Sequence, residues 1–312
     1  MDLDVSRDEP CLEMNRASNA RCRGCGFQDC EAIGDLPDCS EFAGLALPKP
    51  LPGGVLYRCL NCHLVYRSPI CTSEEYGRLY ARVSAQTWRH RRRILRNDQA
   101  LLRHYIESQF PQGARILDIG CYTGEFLASL PTKYEKYGIE KCASATRIAR
   151  QNGLTIVGDD LYNVTLAERF DVIVAMDVIE HVLNPSQFLR DVLSIVSDGG
   201  IVLLSTGDSD DATWREEKAA FWYCAFAEHI SFISERWLKG DSDVNGFRIE
   251  HLQNFKYEDR PYWKTVVMRS LTHLCWLFGI RPHFMWAAHK SKDHLFAALR
   301  RKSTAADAKH SA

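Results

Sequence analysis

Residues 113–140 read GARILDIGCYTGEFLASLPTKYEKYGIE and predict the first half of a parallel α/β sheet. The apolar residues 115–119 form a candidate strand that enters a tight turn at Gly120 and Gly124, and a helical pattern begins at Glu125. A second candidate strand, residues 136–139, ends at Glu140. A strand, a glycine turn and a helix N-terminus in this order direct backbone N–H groups towards a ligand at close range.

Two carboxylates indicate which ligand this turn binds. Glu140 follows the glycines by about 20 residues, which is where a Rossmann-like unit binds the two hydroxyls of a ribose. Asp118 lies just ahead of the first glycine and can meet a ligand ammonium group, whereas it would repel a pyrophosphate. The pattern therefore favours S-adenosylmethionine over a dinucleotide. The candidate contacts in the turn are Asp118, Gly120, Cys121, Tyr122 and Gly124.

Residues 113 to about 240 resemble class I S-adenosylmethionine-dependent methyltransferases. The similarity rests on five segments in this order: ILDIGCYTGEFL, GIE, VGDDL, FDVIVAMDVIEHVLNP and DGGIVLLST. The resemblance implies a Rossmann-like, doubly wound and mostly parallel sheet with helices on both faces. Tyr122 departs from the family, which usually has glycine at this position. Its side chain is therefore expected either to point away from the cofactor or to form part of the pocket wall.

The resemblance also implies cofactor contacts at the ends of the third and fourth strands. Residues 154–157 lead to Asp159 and Asp160, one of which would accept a hydrogen bond from the adenine amino group. The apolar residues 171–175 are typical of a strand buried in a parallel sheet, and Met176 and Asp177 follow it. Open α/β sheets bind ligands at this carboxyl edge.

The composition limits the classes of function. The 312 residues contain 39 Lys and Arg against 40 Asp and Glu, so no overall positive field attracts nucleic acid. The acidic N-terminus lacks the apolar stretch of a secretion signal, and there is no apolar run of about 18 residues that could span a membrane. We therefore expect a cytoplasmic protein that binds no nucleic acid. The sequence does not indicate an oligomeric state.

Eight of the 12 cysteines lie within the first 71 residues, and four of these form two C-x-x-C pairs. Two thiolates at this spacing can bind one ion, and two such turns complete a tetrahedral site for structural zinc with no open position for catalysis. The predicted ligands are Cys22, Cys25, Cys59 and Cys62. The alternative is four thiols packed in a buried hairpin. Rival ligands are Cys30, Cys39 and Cys71, and the first two could bind a second metal.

The residues between the two cysteine pairs contain four prolines and predict a loop-rich segment with little core of its own. Zinc binding would compensate for that missing core. A zinc ribbon ahead of a methyltransferase core resembles an arrangement found in bacterial sugar and secondary-metabolite methyltransferases.

These patterns divide the chain into six parts. They are a disordered tail (1–18), a zinc-ribbon domain (19–72), linker helices (73–110), the S-adenosylmethionine-binding core (111–258), a helical C-terminal extension (259–302) and a second disordered tail (303–312).

Two segments of this division have an open role. One face of the linker carries Arg89, His90, Arg91, Arg92, Arg93 and Arg96, and is either solvated or a docking surface for anionic groups. Residues 261–282 predict an apolar helix that packs on the sheet, forms a dimer contact or rests on a membrane surface.

The segment after the fifth strand is where the acceptor pocket is expected. It contains the aromatic residues Trp214, Phe221, Trp222, Tyr223 and Phe226, which would either enclose a ring or pack against the sheet. AEHISFIS, residues 227–234, looks like the EH-x-S-F-S signature of methyltransferases related to sugar C-methyltransferases. That resemblance implies His229 as the catalytic base with Glu228 as its orienting group or as the base itself. His181 is the second candidate base.

The predicted function is S-adenosylmethionine-dependent methyl transfer to a small-molecule acceptor. The expected acceptor is a sugar or a nucleotide-linked sugar, methylated on oxygen or on carbon. One alternative is an RNA methyltransferase that uses the ribbon as its reader, but acidic and basic residues balance within residues 19–70. The other alternative is a non-catalytic module that binds the cofactor.

Overall fold

The computed structural model describes residues 21–89, 96–164, 166, 168–257 and 292–302. Both predicted disordered tails, the predicted helix over 261–282 and most of the arginine-rich linker face lie outside these residues. No helix among the described residues is long and apolar enough to cross a membrane.

Two sets of elements make up the described chain. The helices are α1 (Ser73–Arg82), α2 (Ala85–Arg89), α3 (Asn97–Gln109), α4 (Glu125–Ala128), α5 (Ala143–Gln151), α6 (Pro185–Ser194), α7 (Ala212–Glu217) and α8 (Glu235–Asn245). The strands are β1 (Cys30–Asp35), β2 (Cys39–Phe42), β3 (Leu45–Leu51), β4 (Val55–Cys59), β5 (Val65–Ser68), β6 (Arg115–Ile119), β7 (Glu135–Ile139), β8 (Thr155–Gly158), β9 (Phe170–Met176), β10 (Val196–Gly207), β11 (Ser231–Phe232), β12 (Phe247–Phe255) and β13 (His294–Arg301).

The main sheet has seven strands in the order β12-β13-β10-β9-β6-β7-β8. The five strands from β10 to β8 are parallel, and β13 runs antiparallel to both of its neighbours. Chain order reverses between β6 and β9, which makes the carboxyl ends of these two strands the switch point of the sheet. The predicted Rossmann-like, mostly parallel sheet is confirmed.

Helices cover both faces of this sheet because its strands bury apolar side chains on both sides. Apolar residues of α6 and α8 pack on one face with Leu117, and those of α3, α4 and α5 pack on the other with Ile116. In β9 and β10 the central residues are fully buried. Their unbroken apolar runs are therefore the sequence signature of a doubly covered parallel sheet.

The predicted helical extension is wrong at its end, because residues 294–301 form β13 inside the main sheet. Alternate side chains of β13 enter the two cores: Leu295 and Ala297 pack on one face, and Phe296 and Ala298 pack on the other. A short apolar run fits a buried strand as well as a buried helix, and only pairing with β10 and β12 distinguishes the two structures.

The described residues of the predicted linker helices form α1, α2 and α3. Arg96, assigned to a basic surface, is mostly buried instead and forms ion pairs with Asp98 and Asp177. Burial lowers the pKa of Arg96, but Asp177, Tyr257 and Asp98 together outweigh burial and the pKa is raised. This arginine therefore ties α3 to the end of β9, which sequence periodicity alone did not indicate.

The ribbon is also more regular than predicted. Its strands form a sheet in the order β1-β4-β5-β11 and a second two-stranded sheet from β2 and β3. Apolar residues of the first sheet, including Leu56 and Val65, share a core with Trp214 and Phe221 from the segment after β10. The ribbon compensates for its small size by packing on the larger domain, a contact between distant segments that local sequence does not show.

The placement of β13 predicts the effect of a charge at Ala298. Ala298 is fully buried between β10 and β12, so we expect Ala298→Asp to lower the free energy of unfolding by about 3 kcal/mol or more, because an unpaired carboxylate enters the core. Arg301→Asp, at the exposed end of the same strand, is the matched control. Urea denaturation measures both; equal midpoints for the two variants would contradict a central β13.

Candidate functional site

Two turns of identical geometry carry the paired cysteines. In the first, Gly26 N–H donates to the carbonyl of Cys22 at 2.8 Å, and in the second His63 N–H donates to the carbonyl of Cys59 at 3.1 Å. Both residues that follow the second cysteine of a pair have left-handed backbones, with φ of 76° at Gly26 and 64° at His63. The repeated turn directs both cysteines of each pair to one point.

The donor set fits a tetrahedral zinc ion. The four Sγ atoms lie within 4.8 Å of one another, with 3.5 Å between Cys22 and Cys62 and 3.6 Å between Cys25 and Cys59. Zinc–sulfur bonds of about 2.3 Å in a tetrahedron require sulfurs about 3.8 Å apart. The hydrogen bond between Cys22 and Cys62 lowers the pKa of Cys22 to about 5 and raises the pKa of Cys62, because the two sulfurs share one proton.

The rival cysteines lie elsewhere. Cys30 Sγ is 3.0 Å from the hydroxyl of Tyr66, and Cys39 Sγ lies 3.6 Å from Arg67 Nη1. Within the described chain, the four-cysteine group is the one all-cysteine cluster with ligand spacing. The four predicted ligands therefore lie together, whereas Cys30 and Cys39 lie outside this cluster.

The turn after β6 and the end of β7 meet at Glu140. Backbone N–H groups of Tyr122 and Cys142 each donate to one of its carboxylate oxygens at 2.7 Å. A carboxylate oxygen accepts two hydrogen bonds, so ribose hydroxyls can donate to the same oriented group. Gly120 has φ 72°, in the left-handed region that favours glycine. A Cβ at this position would also lie only 2.9 Å from Val178 Cγ2, so the turn requires glycine here.

Other predicted turn residues lie beneath this point. Asp118 on β6 and Cys121 after it are both buried. Burial raises the pKa of Cys121, so this thiol is not reactive. Gly124 has φ 73° and begins α4, and a Cβ there would lie 2.8 Å from Leu154. Within residues 120–124, Gly120 is exposed and the other four residues are buried.

Tyr122 resolves the open question of its orientation. It has φ 50°, in the left-handed region that glycine usually occupies, and its side chain is buried beside Ala85, Cys142 and Ala145. Its hydroxyl donates to the carbonyl of Ala85. The ring therefore points towards α2 and α5, where it attaches the linker to the sheet.

The predicted adenine and carboxyl-edge contacts have distinct surroundings. Asp160 accepts from Lys141 Nζ at 2.9 Å and from the N–H of Tyr162 at 3.1 Å, while Asp159 is exposed. Asp177 follows Met176 at the end of β9 with φ 51°, and its Oδ2 lies 2.6 Å from Arg96. The structure thus places both predicted pairs at the carboxyl edge, and two of the four carboxyl-edge residues are held in ion pairs.

Two histidines predicted from separate motifs lie together. The rings of His181 and His229 are 4.9 Å apart at a steep angle. His181 Nδ1 lies 3.0 Å from the carbonyl oxygen of Glu228, and His229 Nδ1 lies 2.9 Å from that of Tyr223. A carbonyl oxygen only accepts, so in a neutral His229 Nδ1 carries the proton and Nε2 is the basic nitrogen, whereas Nδ1 of His181 also lies 3.2 Å from the hydroxyl of Tyr80.

Glu180 is the acidic group that sequence reasoning did not select. It is fully buried, and its carboxylate accepts from Thr206 Oγ1 at 2.9 Å and from the hydroxyl of Tyr223. Burial raises its pKa. One atom each from Glu180, His181 and His229 lie within 4.8 Å of one another, a spacing that could also hold a cation. The sequence did carry a signal for Glu180, because the dipeptide Glu-His occurs twice, at residues 180–181 and 228–229.

Glu228 is predicted to orient His229 or to act as the base itself. It is buried, but the atom that faces His229 Nδ1 is the carbonyl oxygen of Tyr223, while Glu228 presents its own carbonyl oxygen to His181. Backbone groups of the loop therefore orient both imidazoles.

A third histidine was missed because its segment was predicted to be helical. His294 begins β13, is fully buried, and its Nδ1 lies 3.1 Å from Asp293 Oδ1. Burial lowers its pKa, but the hydrogen bond and charge of Asp293 together with the charges of Asp177 and Asp98 outweigh burial, so the pKa is raised. Tyr257 stacks on its ring at 4.5 Å. This histidine belongs to the same edge of the sheet as Asp177.

The aromatic cluster divides between two roles. Trp214 and Phe221 are buried against the ribbon and form core. Tyr223 belongs to the same core and Phe226 packs on it, and both also border the ring of His229, at 4.2 and 4.9 Å; Trp222 is half-buried. Part of the cluster is thus structural, and part surrounds the two histidines.

Comparison with known proteins adds a family to this geometry. A family model described as a methyltransferase domain matches residues 87–252. The ubiquinone biosynthesis O-methyltransferase of Proteus mirabilis is 30% identical over 144 residues, 43% of this chain and 55% of that protein. The Xanthomonas axonopodis pv. citri protein of the same description is 31% identical over 197 residues, 57% of this chain and 81% of that protein.

The chain spans about half the length of the curated relatives that it matches first. Among solved structures, a Thermotoga maritima protein described as an S-adenosylmethionine-dependent methyltransferase, possible histamine N-methyltransferase, covers 65% of this chain. The match extends over 89% of that protein at 19% identity, with a TM-score of 0.45.

The four-sulfur cluster predicts a simple result for metal content. We expect one zinc per chain in the purified protein and loss of that zinc in Cys25→Ser and Cys59→Ser, because each substitution removes one ligand. Cys30→Ser and Cys39→Ser are matched controls from the same domain. Elemental analysis gives the stoichiometry; full metal content in Cys59→Ser, or loss in Cys30→Ser, would contradict the assignment.

Proposed function

The chain belongs to the methyltransferase-domain family, as its sequence predicts, and on that basis we propose that it methylates a hydroxyl group of a small molecule. The observation that supports this proposal is the pairing of His181 and His229 beside buried Glu180, at the carboxyl edge next to the β6 turn. Proton removal from an acceptor needs such a basic group close to the methyl donor.

The donor in this proposal is S-adenosylmethionine at the switch point of the sheet. Glu140 binds the ribose hydroxyls with an orientation set by two backbone N–H groups. Asp118 attracts the positively charged amino acid end, and Gly120 admits the backbone approach. Asp159 accepts from the adenine amino group, since the carboxylate of Asp160 already pairs with Lys141. Once bound, this cofactor supplies a methyl group on a cationic sulfur, activated for in-line displacement.

His229 is the base in this proposal. Its Nδ1 proton is directed at the carbonyl oxygen of Tyr223, which leaves Nε2 as the atom that accepts the acceptor's proton. His181 has the same orientation and is the second candidate. Glu180 is the weaker choice for a base because it is fully buried and both of its carboxylate oxygens already accept hydrogen bonds, from Thr206 and from Tyr223.

A sugar or nucleotide-linked sugar remains the first choice of acceptor. It is supported by the ribbon joined to a loop with the sequence AEHISFIS. A phenolic ring is the second choice, supported by Tyr223 and Phe226 beside His229 and by the names of the relatives, which are O-methyltransferases of ubiquinone and tocopherol biosynthesis. Cysteines that bind zinc rather than form disulfides suit a reducing compartment, and we therefore place the enzyme in the cytoplasm.

A panel of acceptors tests the proposed function. We expect release of S-adenosylhomocysteine with a nucleotide-linked sugar or a hydroxylated aromatic compound, and none with short RNA. Glu140→Ala should abolish release because the ribose contact is lost, whereas Glu135→Ala, exposed on the same strand, should not. Turnover with RNA alone, or no cofactor binding by the zinc-loaded protein in calorimetry, would contradict the proposal.

Substitution of the two histidines identifies the base. We expect His229→Gln to lower kcat by about 100- to 10,000-fold, the usual contribution of general base catalysis, without weakening S-adenosylhomocysteine binding. His104→Gln, on the exposed side of α3, is the matched control. A wild-type kcat in His229→Gln, together with a loss in His181→Gln, would assign proton removal to His181 instead.

A further inference from the structure

The loop of residues 223–230, which carries His229, ends in a strand of the ribbon. β11 pairs antiparallel with β5, with Ser231 opposite Tyr66 and Phe232 opposite Val65. β11 is thus the edge strand of the ribbon sheet rather than part of the main sheet. Position and orientation of this loop therefore depend on a domain that lies about 160 residues earlier in the chain.

Arg67 in β5 contacts both ends of this loop. Its side chain is buried, and Nη2 donates to the carbonyl oxygens of Cys224 at 2.7 Å and Phe226 at 3.1 Å. Its backbone N–H donates to the carbonyl of Ile230 at 3.0 Å. The planar guanidinium can direct two N–H groups at two carbonyls at once, which a lysine ammonium cannot reproduce in the same geometry.

Arg23 connects the loop to the metal-binding turn. It lies between Cys22 and Cys25, and its Nη2 donates to the carbonyl of Ile230 at 2.8 Å and to that of Arg67 at 2.5 Å. One side chain thus joins the first cysteine turn to the residue that follows His229. Four thiolates around zinc carry a net negative charge, which favours a cation at this position when the metal is bound.

The conformation of the loop decides which nitrogen of His229 carries the proton. His229 Nδ1 faces the carbonyl of Tyr223 at 2.9 Å, and its backbone N–H donates to the carbonyl of Phe226 at 3.1 Å. Arg67 donates to the carbonyl of Cys224, the residue after Tyr223, and to the carbonyl of Phe226, which also accepts from the N–H of His229. A shift of residues 223–229 would move the carbonyl of Tyr223 away from His229 Nδ1, and the preference for one tautomer would be lost.

We propose that Arg67 and Arg23 are positioning residues through which the metal-loaded ribbon sets the tautomer and position of His229. The proposal rests on the function proposed above and deepens it, since it makes the ribbon a part of the transfer site. Neither arginine contacts the cofactor turn at Gly120 or Glu140, so metal loading acts on proton removal and not on cofactor binding.

Arg67→Lys tests this assignment in the zinc-loaded, full-length protein. We expect kcat to fall about 100-fold, as for other misplaced catalytic groups, with the KM for S-adenosylmethionine and the zinc content unchanged. Arg23→Ala should act in the same direction. Arg21→Ala is the matched control, because Arg21 is exposed beside the same cysteine turn and lies outside the contacts to the loop.

Histidine nitrogen NMR supplies a readout that does not depend on turnover. In the wild type we expect the His229 signals of a single neutral tautomer with the proton on Nδ1, and in Arg67→Lys a mixture of both tautomers. The Arg21→Ala spectrum should match the wild type. A pure Nδ1–H tautomer and unchanged kcat in Arg67→Lys would overturn the proposal.

Metal removal tests the link to the ribbon. After dialysis against a chelator, we expect faster amide hydrogen exchange in residues 223–232, while β6 and β7 stay protected and S-adenosylhomocysteine still binds. Unchanged exchange in residues 223–232 would refute the link.

The proposed function can fail separately from this inference. If the wild type methylates no acceptor but the tautomer and exchange results appear as expected, the proposed function is wrong and the positioning role stands. If the wild type methylates an acceptor and Arg67→Lys does so equally well, the positioning role is wrong and the function stands.

Discussion

The pairing of β11 with β5 is the contact on which the arrangement of the site depends. Only two residue pairs form it, Ser231 with Tyr66 and Phe232 with Val65, and so short a ladder is weak by itself. Arg67 adds side-chain bonds to the carbonyls just before β11, and Phe232 buries its ring in the core shared with Trp214. The backbone hydrogen bonds of β11, the buried guanidinium of Arg67 and the apolar packing of Phe232 together join the ribbon to the loop that carries His229.

The linker before the main sheet is attached to the same edge by a different kind of contact. Arg96 pairs with Asp177 at the end of β9 and with Asp98 in α3, and the hydroxyl of Tyr122 bonds to the carbonyl of Ala85 in α2. Asp177 and Tyr122 both have left-handed backbones, which cost free energy and persist where the surrounding contacts maintain them. The edge that binds ligands in α/β sheets is thus bordered by the ribbon, the linker and β13.

Proton chemistry at this edge follows from burial. Glu180 and His294 both have raised pKa values, the first because its carboxylate is buried and the second because Asp293, Asp177 and Asp98 together outweigh burial. The two facing imidazoles have their Nδ1 atoms directed at backbone carbonyls. For His229, the carbonyl oxygen of Tyr223 selects the tautomer that carries the proton on Nδ1.

Local patterns in the chain were sufficient for the parallel core, the cysteine pairs and the family. Glycine turns, apolar runs and C-x-x-C spacing depend on backbone conformation and ligand geometry within a few residues, so they can be identified from the sequence alone. The strand 294–301, the buried ion pair of Arg96, the packing of Trp214 on the ribbon and the meeting of Glu180 with His229 were decided by tertiary structure. Each joins segments that are far apart in sequence, and a side chain's burial and partners are set by what packs against it rather than by its neighbours in the chain.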